Sequence, residues 1–385
     1  MGDFDAINTY LSQVPWEVVL HNNPSAAASW SAFLDVLWSV IDMFVPRCNS
    51  SRRCIYRKRY PREVAKLIVK KRVLWKRHIL RPDDLHVRWQ YRECVNAFRS
   101  SCRKNARQKE ESIVDANNLG AFYKHVNRQI RHRDTIGALV NSAGEPVTSD
   151  RQKADMFNEY FGSVCTRDNG AQPKCSITEP TSVLETVTFT QRDVLFAMNK
   201  LKSNLSGGPD GLPPLLFKRL KDSLAYPLSS MFTQLFSVGV IPDEWKNAII
   251  TPVFKKGLAG TVSNYRPISL TCVTSKLMER IISAAIYNHL LGNALLSCTQ
   301  HGFVKGKSTC TNLLEALNDW TLAVQDRHGV CVAYIDFSKA FDTVSHEKLF
   351  RCLYSYGIRG DLLRWIKNFF TDRTQQTKVG MALSE

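Results

Sequence analysis

Apolar positions recur near helical spacing through the first 46 residues, where Trp30, Phe33, Leu34, Leu37, Trp38 and Ile41 fall on one face and Pro46 ends the pattern. Residues 61–130 read as long helices broken at Arg81-Pro82. Asn141 to Asp150 is turn-rich, and Asp150 stands where it would cap a helix carrying Met156, Phe157, Tyr160 and Phe161. Ser163 to Pro180 is polar and reads as a loop. Thr190-Gln191-Arg192-Asp193 has the form of a capping box, opening a helix with Val194, Leu195, Met198 and Leu201 turned inward. The run Ser206-Gly207-Gly208-Pro209-Asp210-Gly211 is a rigid loop, and helices follow to about Val238, closed by Gly239-Val240-Ile241-Pro242.

The period then changes. Ala248 to Phe254 predicts an apolar strand, Lys255-Lys256-Gly257 a turn, and Ile268 to Thr271 the hairpin partner. Ser275 to Leu296 is an amphipathic helix. Val330 to Phe337 reads as a buried strand with Asp336 near its C-terminal end. Ser345 caps a helix running to Tyr356 and closed by Gly357, and Asp361 to Thr371 is a last helix. No internal repeat is present. Helices with a few strands predict an α+β chain, divided as a helical basic region over 1–150, a connector over 151–183, and a domain over 184–385 where the pattern is densest.

Charge adds a second division. Residues 47–110 hold 21 Lys and Arg against 5 Asp and Glu, which is nearly all of the net +17 of the 385-residue chain. Arg52, Arg53, Arg57, Lys58 and Arg59 form one run, and Lys70, Lys71, Arg72, Lys76 and Arg77 another. Tyr56, Tyr60, Trp75, Trp89, Tyr91 and Phe98 interleave with them. A polyanion suits such a segment, because neutralised phosphates release counterions and exposed rings stack on unpaired bases. The plainer alternative is a solvated helical face with its aromatics packed inward, and a nuclear-import signal is a third.

Composition excludes more than it assigns. A chain 44% hydrophobic and 23% charged is neither disordered nor a disulfide scaffold, and its 11 cysteines are odd in number and scattered. Cys48/Cys54 and Cys94/Cys102 lack zinc spacing. The acidic start Met1-Gly2-Asp3-Phe4-Asp5 is no secretory signal, and Asp35 and Asp42 interrupt the most apolar window, so no membrane contact is expected.

The chemistry concentrates in Ala333-Tyr334-Ile335-Asp336-Phe337-Ser338-Lys339-Ala340-Phe341-Asp342-Thr343-Val344. A carboxylate at the end of an apolar strand must be hydrated, paired or metal-bound, and a strand-end aspartate capping the next turn is the commoner case. This word, however, resembles the first catalytic motif of reverse transcriptases of non-LTR (LINE-type) retrotransposons. The resemblance extends in order through Gly208-Pro209-Asp210-Gly211, Trp245, Ile249 to Gly257, Asn264-Tyr265-Arg266-Pro267-Ile268-Ser269-Leu270, Gln300-His301-Gly302-Phe303 and Gly306-Lys307-Ser308. It is clear over about 184–380 and weaker before that.

The resemblance implies a right-hand polymerase, fingers and partial palm, that copies an RNA template such as retrotransposon RNA from a DNA primer using dNTPs and two Mg²⁺ ions. It implies that Asp336 is the catalytic carboxylate and metal ligand, with the Phe337 carbonyl assisting. Phe341 would exclude a ribose 2′-hydroxyl. Arg266 and one of Lys255 and Lys256 would meet the triphosphate. Gln300 and Gly302 would line the template–primer path, and Gly208 to Gly211 would lie near the template. Asp336 and Asp342 also have the Asp-x₅-Asp spacing of viral RNA-dependent RNA polymerases, but the bulky Phe341 favours the DNA-making enzyme.

The aromatic-x-Asp-Asp turn of a complete palm is not found: after Asp336 the acidic residues are Asp342, Glu347, Asp361, Asp372 and Glu385. With one carboxylate of three, the chain as it stands is expected to be inactive, and a non-catalytic RNA- or DNA-binding protein using residues 47–110 is the rival reading. Function alone would place it in nucleus and cytoplasm.

Overall fold

The computed structural model describes residues 2–23, 25–46, 60–81, 83–115, 118, 120, 125–126, 136–164, 169–171 and 182–385. The chain forms two compact units, one of residues 1–47 with 135–385 and one of residues 48–134. The expected 1–150 region is therefore divided between them, because its first helices bury their apolar faces in the larger unit.

Those helices are α1 (Phe4–Gln13), α2 (Trp16–His21) and α3 (Ala26–Phe44). Asp3 caps α1 and Ser25 caps α3 with side-chain hydrogen bonds. By length and composition α3 could cross a membrane. Here, however, Trp30, Phe33, Leu37 and Val40 lie in the main hydrophobic core. The smaller unit holds α4 (Arg62–Leu80) and α5 (Leu85–Asp115), long and basic as expected.

In the larger unit Leu139–Val140 and Pro146–Val147 pair as a short hairpin, β1 and β2, where the sequence predicts only a connector. Helix α6 (Asp150–Ser163) follows. Asp150 does not cap it: Ser149 is the N-cap, Asp150 is the first helical residue, and its carboxylate pairs with Lys153 Nζ at 3.2 Å. The Thr190–Asp193 capping box opens α7 (Gln191–Asn199) as predicted. Helices α8 (Pro214–Arg219) and α9 (Lys221–Val238) follow, and Gly239 closes α9 in the left-handed conformation, φ 73°.

A single turn, α10 (Asp243–Lys246), leads into β3 (Asn247–Phe254). Its antiparallel partner β4 (Tyr265–Leu270) begins before the expected Ile268, so the whole Tyr-Arg-Pro-Ile-Ser-Leu word is strand. Pro252 faces Pro267. Lys255 N–H donates to the Asn264 carbonyl (2.8 Å), which makes the ladder positions alternate so that the proline pair is one that exchanges no hydrogen bonds. Helix α11 (Val273–Gly292) leaves β4 at once. On its other side β3 pairs in parallel with β5 (Thr374–Val379), which pairs with β6 (Ala382–Leu383), giving the order β4-β3-β5-β6. The sequence does not predict β5: the word Thr-Gln-Gln-Thr-Lys-Val has no apolar alternation. Before it come α13 (His346–Ser355), capped by Ser345, and α14 (Gly360–Phe370).

Two packed layers result. The main core runs from α1–α3 through α7, α9 and α11 to α14. Trp30 meets Trp245 edge-on at 5.2 Å, Trp245 meets Phe232 at 6.1 Å, and the Trp30 indole donates to Glu244 Oε2 at 3.1 Å. A second core, with Phe157, Phe161, Ile250, Tyr265 and Val379, seats α6 on the sheet.

The expected buried strand over 330–337 is not formed. These residues have no regular secondary structure and are exposed, Tyr334 at 86% and Ile335 at 83%. A strand needs a ladder partner, and the sheet supplies none to this segment. Helix α12 (Thr309–Gln325) has no buried residue either, leaving Leu313, Leu314, Leu317 and Leu322 in solvent.

Two outcomes are expected. Exposed apolar surface of this extent drives association, so the purified chain should shift to larger species with rising concentration in sedimentation velocity. Trp30→Ala should cost about 3–5 kcal/mol in urea unfolding, as for other buried Trp truncations; an unchanged midpoint would detach α3 from the core.

Candidate active site

The β3–β4 hairpin decides where the cationic groups point. Side chains alternate across a strand, and the core takes Ile250, Pro252 and Tyr265. The opposite face therefore carries Val253 and Arg266, which are register partners and both exposed. Lys255 and Lys256 follow in the turn, also exposed. Gly257 (φ 91°) and the bond from Asn264 Nδ2 to the Leu258 carbonyl (2.9 Å) shape that turn. The structure thus brings Arg266, Lys255 and Lys256 to one solvent-facing hairpin, a surface suited to an anion.

The Gly-Pro-Asp-Gly loop packs against the other end of the hairpin. A Cβ on Gly208 would lie 2.5 Å from the Thr271 carbonyl oxygen, so only glycine fits there. Gly211 has φ 69° and lies near Trp38 of α3. Between them Asp210 Oδ1 accepts from Leu212 N–H at 3.2 Å, while its Oδ2 is buried with no hydrogen-bond partner. Burial raises the Asp210 pKa above the ordinary 3.8, opposed by the Leu212 hydrogen bond and by Lys276. The neighbouring Cys272 thiol donates to the Glu244 carbonyl at 3.3 Å, and burial together with the Asp210 charge pushes it up to about 12. The motifs do not single out Asp210 by itself. Its signal in the sequence is its place in a loop that Gly208 presses against backbone.

Gln300 donates through Nε2 to the Gly302 carbonyl (3.2 Å), and both are exposed. His301 is buried between Thr311 Oγ1 (2.9 Å) and Glu315 of α12, which fixes this loop on the helix. Phe303 then meets Phe341 edge-on, centroids 6.0 Å apart, so two motifs distant in sequence touch. Lys339 ties the same segment to α6 by donating to Tyr160 Oη at 2.8 Å, with its ammonium 4.6 Å from that ring. Asp336 and Phe337 are exposed, and Phe341 remains 80% exposed despite its contact. Among the described residues no ion pair joins Asp336 to Arg266, Lys255 or Lys256. Lys70, Lys71 and Arg72 lie on α4 in the other unit. Arg52, Arg53, Arg57, Lys58 and Arg59 lie outside the described residues.

A divalent ion does not fit what is present. Among the described residues no three His, Cys, Asp or Glu side chains come together as a metal site. Asp336 stands as one exposed carboxylate, and a hard cation needs several converging oxygens.

Residues 253–384 match the family model of reverse transcriptase, RNA-dependent DNA polymerase. This segment belongs to the reverse transcriptases. The match takes in Arg266, Gln300, Asp336 and Phe341, and the matching model describes an RNA-dependent DNA polymerase, not an RNA-dependent RNA polymerase. The chain is 24% identical over 376 residues to the RNA-directed DNA polymerase from mobile element jockey of Drosophila melanogaster, covering 91% of this chain and 39% of that protein. It is 22% identical over 317 residues to a 149 kDa protein of transposon TX1 of Xenopus laevis, covering 78% and 24%. It is 29% identical over 174 residues to the Pol polyprotein of the type-1 retrotransposable element R2 of Popillia japonica, covering 45% and 23%. The chain thus spans between about a quarter and two fifths of these relatives. The resemblance to non-LTR reverse transcriptases seen in the motifs holds.

The Asp210 carboxylate, upstream of the matched segment, gives a stability prediction. Its folded pKa is raised, so the folded state holds the proton more tightly than the unfolded one. Stability from this group is full below the unfolded pKa and falls as pH rises through the folded pKa. Asp210→Asn should remove that dependence, and its melting temperature should gain on the wild type between the ordinary pKa and pH 7. A constant difference across that window would show that Asp210 is not the titrating group.

Proposed function

We propose that the chain is the fingers and the first part of the palm of an RNA-directed DNA polymerase from a non-LTR retrotransposon. It would copy an RNA template, such as the element's own RNA, from a DNA primer with dNTP substrates. The observation that carries this is the solvent-facing hairpin that brings Arg266, Lys255 and Lys256 together inside the segment that matches the family. Phosphoryl transfer rests on positioning and on cationic neutralisation, and these residues supply the second.

Phe341, five residues after Asp336 and in contact with Phe303, would screen the sugar. Gly208, Gly211, Gln300 and Gly302 would border the template. These residues carry no metal chemistry on their own, because a lone exposed carboxylate does not assemble an ion site. Such a protein would meet its RNA in the cytoplasm and its target DNA in the nucleus.

The test is primer extension on an RNA template with Mg²⁺ and four dNTPs. The 385-residue chain should leave the primer unextended. In a longer protein that contains it and does extend, Asp336→Asn should abolish extension and Phe341→Ala should admit ribonucleotides. Extension by the 385-residue chain would sink the single-carboxylate limit. Full activity in Asp336→Asn would remove Asp336 from the reaction.

A further inference from the structure

The smaller unit carries a feature that the polymerase reading does not use. Ile68, Lys71, Arg72 and Trp75 follow one another at helical spacing along one face of α4. Across from them stand Tyr91 and Phe98, two turns apart on α5. These six residues line a cavity of about 470 Å³, within the roughly 300–1,000 Å³ range of small-molecule sites.

Its chemistry is divided. The aromatic side is organised: Trp75 and Tyr91 have centroids 5.3 Å apart, and His78 stacks on Tyr91 at 5.8 Å with the planes 16° apart. The cationic side is Lys71, whose ammonium lies 5.2 Å from the Phe98 ring, and the exposed Arg72. Trp75 stays 47% exposed although Val64, Leu74 and Cys94 supply the buried contacts of the hairpin. The indole is therefore not required by the core. Around the cavity α4 holds seven Lys and Arg against one glutamate, Glu63, which is paired with Lys66.

We infer that this cavity holds one unpaired nucleotide of a single-stranded nucleic acid. The base would stack on the exposed Trp75 face, and Lys71 and Arg72 would take its phosphate. Stacking serves any base, because each has a π face, and the flanking charge supplies affinity without sequence preference. A duplex presents phosphates but hides base faces, so it can use the charge and not the ring. An acidic peptide would use the charge alone in the same way. The inference is independent of the polymerase assignment, since every residue in it lies outside 253–384.

The experiment is fluorescence anisotropy on the full chain with an RNA of about 12 nucleotides, within the site sizes of single-strand binders, the DNA of the same sequence, and the matching DNA duplex, across a salt series. Trp75→Ala should weaken single-strand binding on the order of 5- to 100-fold, the usual range for one base–aromatic stack. It should leave duplex affinity and the salt slope unchanged. Trp75→Phe should restore most of the loss. Lys70→Ala, which changes an exposed charge outside the cavity, should lower all three affinities together and flatten the salt slope by about one unit at most.

Equal binding of RNA and DNA would support recognition of base and phosphate alone, and tighter RNA binding would support a ribonucleotide in the cavity. The inference is overturned if Trp75→Ala, folded by circular dichroism, binds single strands as tightly as wild type. It is also overturned if the variant loses duplex binding to the same degree, or if the chain prefers duplex or binds no single strand.

Discussion

The position of Trp245 is the constraint on which the larger unit depends. Its ring is buried between Trp30 of α3 and Phe232 of α9, and two residues later the chain becomes β3. The entry to the hairpin is thereby fixed to one helix near the N-terminus and one just before the hairpin. Its exit is fixed as firmly, because Gly208 brings the Gly-Pro-Asp-Gly loop onto the Thr271 backbone where β4 passes into α11. With both ends held, the cationic face between them has one orientation. The same loop lies near Trp38, so α3 supports both ends of the hairpin despite preceding it by some two hundred residues.

Much of this is legible in the sequence wherever the signal is local. The Thr190–Asp193 capping box, the Ser345 cap, the Gly239 terminator and the β3 run are each determined by residues within a few positions of one another. Beyond β3, strand assignment from apolarity fails. Val330 to Phe337 is apolar and forms no strand, whereas Thr374 to Val379 is polar and does. The difference is pairing: β5 has β3 beside it, and 330–337 has nothing. The site divides along the same line. Its motif residues are visible as words. The Phe303–Phe341 contact, the Lys339–Tyr160 tie and the buried Asp210 oxygen depend on which distant segments meet, and no local pattern encodes that.

Charge and catalytic motifs also segregate by unit. The basic excess lies mostly in residues 48–134, whereas the motifs that resemble reverse transcriptases lie in the other unit. The cations that could attract a polyanion broadly are thus different residues from the three on the β3–β4 hairpin.

The two facing prolines of the hairpin act as a register lock. Neither has an N–H to donate, and both sit where the ladder asks for none. If β4 slid by one residue, its bonding positions would exchange with its non-bonding ones, and Pro267 would have to donate to β3, which it cannot do. The same slip would rotate Arg266 from the outer face into the layer now held by Tyr265. The side on which Arg266 meets solvent is thus guarded by two rings that need never touch it.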